Sequence, residues 1–465
     1  MLRKSLIFVT LSWMTLACGG GEKSGAEGEE GNALSSDASG QLNVIVILAD
    51  ALRADRLGAY GYTARPTSPS IDALAKDSAV FVNAVSQDAW TIPSVASLFS
   101  GVYPRTHRAL KYQKGKTVEM DTLSMDHSTM AERFKDAGYA TSALLKSPVI
   151  DSSKGYCQGF DTCKVVDGKG AWDNSGEDLT NAATGWLDTH GSGSPFFLYL
   201  HYMDPHSPYI PPEPWKSKYV GDYKGELTGL HKDYEPFQRG EKKASKADLE
   251  QLSAVYDASV EYWDFQIGRL VEHLKSTGRW ENTIIVITAD HGEALGERGH
   301  FFHGNLYQEN IHVPLIFRVP GVKGQRLEQY AQMMDIAPTV TGLTGVSPSP
   351  AWHGMNQADA IRTGADSAQS VYTEYGHSKS LIDANGLKLI LGEKISPLLF
   401  DLKADPGELK NLASSRPDDV KRLQGEIKRI FDMSMKEASN FSAAAPVTVD
   451  DATVDKMKAI GYVDD

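Results

Sequence analysis

Cysteine is scarce: the 465-residue chain has three, and only Cys157 and Cys163 lie in its body. Two thiols without a nearby His pair make a poor metal centre, so a cysteine-built metal site is a weak fit. An excess of positive charge is also missing. With 47 Lys and Arg against 60 Asp and Glu, the net charge is −13, which argues against a general nucleic-acid binder or a basic membrane-surface protein. After the N-terminus there is no second long apolar run and no internal repeat. What is present is ordinary for a globular protein, with 41% hydrophobic and 23% charged residues. The length suits one large domain with a smaller one. An acidic exterior does not bar an anionic substrate, because a local cationic pocket can overrule net charge.

The first residues carry an address. Arg3 and Lys4 precede the apolar run Leu6–Ala17, and Cys18 follows it. A basic start and an apolar run too short to span a bilayer comfortably make a signal segment. Its Ala-Cys junction resembles that of bacterial lipoproteins, which implies export and a lipid-anchored Cys18; plain secretory cleavage nearby is the alternative. An exported chain meets an oxidising compartment, where Cys157 and Cys163, six positions apart, are expected to close a small disulfide loop. Residues 19–41 are Gly, Ser, Glu and Ala with almost no large apolar side chain. Such a stretch cannot offset its ordering entropy and reads as a tether.

From residue 42 the chain turns globular. Val44–Leu48, Ala140–Leu145, Phe196–His201, Ile284–Thr288 and Val313–Val319 are continuous apolar runs, the pattern of parallel strands covered on both faces. Leu249–Lys275 shows helical spacing through Leu252, Val255, Tyr256, Ile267, Leu270, Val271 and Leu274. Alternating strands and helices predict an α/β fold with a mostly parallel central sheet between helices, spanning 42–365. In 366–465 the character changes. Ser380–Leu391 reads as two strands around Asn385-Gly386, Pro397–Leu402 as another strand, and Asp418–Met433 as a closing helix. A small α+β subdomain is the expectation there.

Ligands gather beyond the carboxyl ends of parallel strands, and Asp50, Asp290 and His291 stand there. Asp290-His291 sets an oxygen and a nitrogen donor side by side, a pairing that suits Mn²⁺ or Zn²⁺. Thr91 precedes Ile92-Pro93, where a helix start would aim free N–H groups and a positive dipole end at an anion. On its own Thr91 would be a capping residue. With Asp50, Asp290 and His291 it completes a four-ligand site for one divalent ion, which would lower the Thr pKa and polarise a substrate oxygen. Lys146, His206 and His303 are the candidates for contacting the remaining substrate oxygens or protonating a leaving group.

These phrases, in this order, resemble the sulfatase family of the alkaline-phosphatase superfamily. Asn43–Tyr62 is similar to its opening motif, Thr91–Gly101 with Val102-Tyr103-Pro104 to its nucleophile motif, and Met203–His206 to a segment bearing an active-site His. Thr288–Glu297 with Glu309–Pro314 resembles the distal metal motif. Leu399–Glu408 with Asn411-Leu412 resembles the C-terminal signature. The resemblance covers roughly residues 43 to 415 and implies an alkaline-phosphatase-like αβα sandwich, one divalent metal and an anionic ester substrate. The metal would be Mn²⁺, Zn²⁺ or Ca²⁺, with a transition metal favoured. Lys146 aligns with a family Lys.

The departures redirect the chemistry. The family's Cys or Ser, matured to formylglycine, is Thr91 here, and its Arg is Val95. Ala51 replaces a second metal carboxylate, His291 an amide, and Pro148 a common His. A Thr cannot become formylglycine. The resemblance therefore points to a hydrolase of phosphate, phosphonate or sulfate esters that works through Thr91. Two alternatives stand beside it: an envelope transferase moving a phospho head group onto a glycan or lipid, and a catalytically silent binder of anionic glycans.

Overall fold

A computed structural model describes residues 41–114, 117–166, 176–190, 194–460 and 462. The signal segment with Cys18 and all but the last residue of the tether lie outside them.

Eight strands form the central sheet, in the order Gln325–Gln332, Ala79–Val85, Leu315–Arg318, Thr283–Ala289, Asn43–Ala49, Phe196–Tyr202, Ala140–Leu145 and Thr162–Val165. The axial strand, Asn43–Ala49, is wholly buried and sends successive side chains to opposite sides. Val44, Val46 and Leu48 join one apolar cluster, and Ile45, Ile47 and Ala49 join the other. That two-sided burial is why its sequence reads as a continuous apolar run. The first cluster takes in the helix Thr91–Ser100. The second is closed by the helix Lys246–Ser276, which begins with a Ser245/Asp248 capping box and buries Leu252, Val255, Ile267, Leu270 and Leu274. The expected αβα arrangement is therefore what forms.

One strand runs against expectation. Leu315–Arg318 pairs antiparallel with both Thr283–Ala289 and Ala79–Val85. A parallel neighbour needs a long crossover. The chain instead returns through residues 290–314, which hold only a two-residue ladder, a 3₁₀ turn and the one-turn helix Gln308–Ile311 among the described residues. Cys157 and Cys163 are joined as a disulfide beside the edge strand. No helix among the described residues is long and apolar enough to cross a membrane.

The C-terminal sheet is antiparallel, in the order Val371–Tyr375, Ser378–Ile382, Leu387–Leu391, Leu398–Asp401. The Asn385-Gly386 turn falls where expected: Gly386 has φ 88°, and the Asp383 carboxylate accepts from the Asn385 and Leu387 amides, both at 3.0 Å. The helix Pro417–Ala438 packs Leu423, Ile427 and Ile430 on this sheet. The last stretch leaves it again. Val447–Thr448 pairs with Val118–Met120, and the helix Asp451–Ala459 returns Met457 to the main apolar cluster.

Candidate active site

The strands Asn43–Ala49 and Thr283–Ala289 are in register along their full length, so Asp50 and Asp290 leave the sheet side by side. Both are fully buried. Asp290 Oδ1 accepts from the Ala51 amide at 3.1 Å and the His291 amide at 2.9 Å. Neither Asp290 Oδ2 nor Asp50 Oδ1 has a hydrogen-bond partner. Both oxygens face His291 Nε2, at 3.6 and 3.7 Å. His291 Nδ1 donates to the Gly292 carbonyl at 2.8 Å, which leaves Nε2 turned to these oxygens.

Thr91 enters from the opposite side of the cluster. It is the first residue of a ten-residue helix that is buried throughout and that carries no side-chain cap at its start. The Thr91 hydroxyl lies 3.2 Å from His291 Nε2. The helix dipole favours negative charge on that hydroxyl.

Sequence reasoning missed His201. It is the sixth residue of the wholly buried strand Phe196–Tyr202, and its Nε2 lies 3.2 Å from Asp50 Oδ2. Its Nδ1 meets the Tyr199 hydroxyl at 3.1 Å. Asp50, His201 and Asp290 each offer a ligand atom within 4.8 Å of the others. The available signal was an imidazole near the end of an otherwise apolar strand. Ala51 has no donor to give and holds φ at 60° in the left-handed region; His201 adds a nitrogen to the cluster beside it.

The electrostatics call for a cation. Burial, then the neighbouring Asp290, pushes the Asp50 carboxyl well above its ordinary range. Burial also opposes charge on Asp290, but the His291 and His201 imidazoles outweigh it and hold that carboxyl low. Burial disfavours charge on His291, yet Asp290 and Asp50 raise it. Two buried carboxylates with orphaned oxygens are costly unless something positive sits between them. Metal bonds of about 2.0–2.2 Å place neighbouring donors about 3.0–3.6 Å apart, close to the spacing of these oxygens around His291 Nε2. The residues present fit a divalent ion.

His206 and His303 gather on the same side. The His303 ring lies 4.2 Å from that of His291 and 5.2 Å from that of His206, centroid to centroid. His303 Nδ1 donates to the buried Glu293 carboxylate at 3.0 Å, and Tyr209 donates to the other Glu293 oxygen at 2.9 Å. His206 Nδ1 donates to the Ser207 carbonyl at 2.5 Å. Burial, followed by His303, pulls His206 down to about 3; burial, followed by His291, pulls His303 well below the ordinary histidine value. Lys146 follows the strand Ala140–Leu145 with its amide on the His201 carbonyl at 3.0 Å, and its ammonium pairs with Asp178 at 3.3 Å. Two further residues escaped the sequence reading. Glu293 orients His303, and Tyr462 brings its hydroxyl to 2.5 Å from that of Thr91.

A family model described as Sulfatase matches residues 42–346, and one described as N-sulphoglucosamine sulphohydrolase, C-terminal, matches 296–436. An arylsulfatase of Clostridium perfringens is 24% identical over 447 residues, covering 80% of this chain and 90% of its own. The solved phosphonate monoester hydrolase of Agrobacterium radiobacter has a TM-score of 0.68 at 20% identity, covering 88% of this chain and 100% of its own. A structure in complex with its substrate D-glucosamine-2-N,6-O-disulfate has a TM-score of 0.68 at 21% identity, covering 87% of this chain and 99% of its own.

Proposed function

The chain belongs to the sulfatase family, and from that premise we propose that it is a metal-dependent ester hydrolase with Thr91 as its nucleophile. The observation that carries this reading is the convergence of the Thr91 hydroxyl, His291 Nε2 and two orphaned carboxylate oxygens at one helix start. Asp50, Asp290, His291 and Thr91, with His201 beside them, would hold the ion. When bound it supplies charge that lowers the Thr91 pKa and polarises an ester oxygen.

The rest is done by the protein. The Thr91 proton is released to solvent before the ester binds. The Thr91 oxygen then attacks the phosphorus or sulfur centre; a Thr–O bond to that centre forms, and the ester bond breaks. The ester oxygen leaves with the bonding pair and takes up a proton from solvent. Burial holds His206 and His303 neutral, so each can accept a proton from the water that resolves the covalent intermediate. His303 is the better oriented, through Glu293. Lys146 supplies positive charge at the same sheet end.

Phosphate and phosphonate esters suit an unmodified hydroxyl better than sulfate esters, because a Thr cannot mature to formylglycine; the fold itself is shared alike with a phosphonate monoester hydrolase and with a protein solved with a disulfated glucosamine. The alcohol is a glycan or lipid head group of the cell envelope, reached by a chain exported and tethered through Cys18. The test is turnover of aryl phosphate, phosphodiester, phosphonate and sulfate esters by metal-loaded protein lacking residues 1–40, against Thr91→Ala. Turnover of one ester that vanishes in the variant is the expected outcome. Inactivity on all four by protein that also binds no metal would replace the enzyme with a binder of anionic glycans.

A further inference from the structure

Tyr462 stands 371 positions from Thr91, yet their hydroxyls are 2.5 Å apart. Its ring is 1% exposed and lies over the Trp90 indole, with centroids 4.7 Å apart and planes inclined by 35°. The His206 ring meets it edge-on at 5.5 Å.

The relative acidity of the two hydroxyls sets the direction of the hydrogen bond. Thr91 and Tyr462 share one short hydrogen bond, and a phenol is a stronger acid than an aliphatic alcohol. The Thr91 oxygen therefore accepts from Tyr462. We propose that Tyr462 is a catalytic residue that donates this hydrogen bond to the nucleophile, holding its rotamer and stabilising the charge it gains as its proton leaves. A fixed donor aimed at developing charge in a water-excluded site is worth far more than the same donor in water.

The tail is built to stay. The Tyr462 amide donates to the Met457 carbonyl at 2.8 Å, and Met457 and Ile460, 0% and 2% exposed, belong to the main apolar cluster. Asp450 caps the helix Asp451–Ala459 by accepting from the Thr453 amide at 2.9 Å. Val447–Thr448 adds a strand to Val118–Met120. A removable plug would lack such anchors, so Tyr462 is a resident wall of the site.

The inference rests on Thr91 being the nucleophile. Tyr462→Phe keeps the ring and removes only the donor. On whichever aryl ester gives Thr91-dependent turnover, kcat should fall about tenfold to a hundredfold with KM within about threefold. The Thr91 adduct, trapped by acid and read by mass spectrometry, should form correspondingly more slowly. Tyr462→Gly should be at least as slow and should be partly rescued by added phenol but not by toluene, which fills the space without donating a hydrogen bond. Unchanged kcat in Tyr462→Phe would overturn the proposal. So would faster turnover by either variant, since that would mean the ring blocks the pocket. Thr91→Ala, run alongside, separates the two readings. If it stays active the nucleophile assignment falls; if it is dead while Tyr462→Phe is unimpaired, only the tyrosine's role falls.

Discussion

His201 can present a lone pair to a cation only when its ring proton sits on Nδ1, and the Tyr199 hydroxyl, 3.1 Å away, is the group placed to accept it. Burial draws His201 down to about 4, so the ring is neutral and available as a ligand at neutral pH. Partners of this kind commonly change metal affinity 10- to 100-fold, so Tyr199→Phe should weaken Mn²⁺ or Zn²⁺ binding by about tenfold, and His201→Ala by more. Calorimetric titration of both variants checks this without any substrate; equal affinities would remove His201 from the ligand set. A second residue governs acid behaviour. His127 stacks on Phe441 with centroids 4.1 Å apart, and burial, helped by Arg108, lowers it from 6.5 to about 4. A base whose pKa falls on folding stabilises above its unfolded pKa and loses that contribution as pH drops towards the folded one. The loss here runs from about pH 6.5 to pH 4 and amounts to at most about 3 kcal/mol. Thermal midpoints across that range should fall more steeply for the wild type than for His127→Leu; parallel curves would refute it.

The elements legible in the sequence were those whose physics is local. The strands Asn43–Ala49, Ala140–Leu145, Phe196–Tyr202 and Thr283–Ala289 are apolar along their length because both faces are covered, and the helix Lys246–Ser276 shows its buried stripe at helical spacing. Ala79–Val85 and Gln325–Gln332 were not legible. The first was masked by Asn83, and the second mixes exposed Arg326 and Glu328 into a strand that pairs on one side only. The direction of Leu315–Arg318 depends on how the loop before it returns, which no pattern within the strand records. One element carries Thr91, and its far end is as constrained as its start. Gly101 closes the helix Thr91–Ser100 at φ 63°, and a Cβ there would stand 2.6 Å from Trp352 Cγ. Trp352 is held by its indole N–H on the Ser128 carbonyl at 2.9 Å. Gly101→Ala therefore combines left-handed strain with displacement of a fixed ring, a cost of about 2–3 kcal/mol. Urea unfolding should record a lower midpoint, and an unchanged one would mean that Trp352 yields freely.

At the scale of the whole molecule the site is assembled from chain segments that sequence order keeps apart. Asp50, Thr91, Asp290 and His291 could be named from their phrases, but His201 and Tyr462 could not. An isolated histidine in a strand and a tyrosine near the chain end have no local pattern that assigns them to a site. Likewise Val454, Met457 and Ile460 mark a short amphipathic helix without indicating which surface it covers. The structure directs that helix past the small C-terminal sheet and onto the main cluster, so Met457 and Ile460 bind the molecule together while Tyr462 faces Thr91. These two roles can be separated. Met457, Ile460 and Tyr462 are each buried to within 2%, and burying a large side chain contributes about 1.5–3 kcal/mol. A chain ending at Pro446 should therefore lose about 5 kcal/mol, a large fraction of the stability of a typical domain. Its thermal midpoint should fall sharply, with exposed apolar surface reported by dye binding, and turnover should vanish. Tyr462→Phe, which keeps every apolar contact, should show the about tenfold to hundredfold lower kcat with its midpoint near that of the wild type. A truncated chain as stable as the intact one would mean that the arm lies on the surface without being packed into it, and that its hold on Thr91 is too weak to matter.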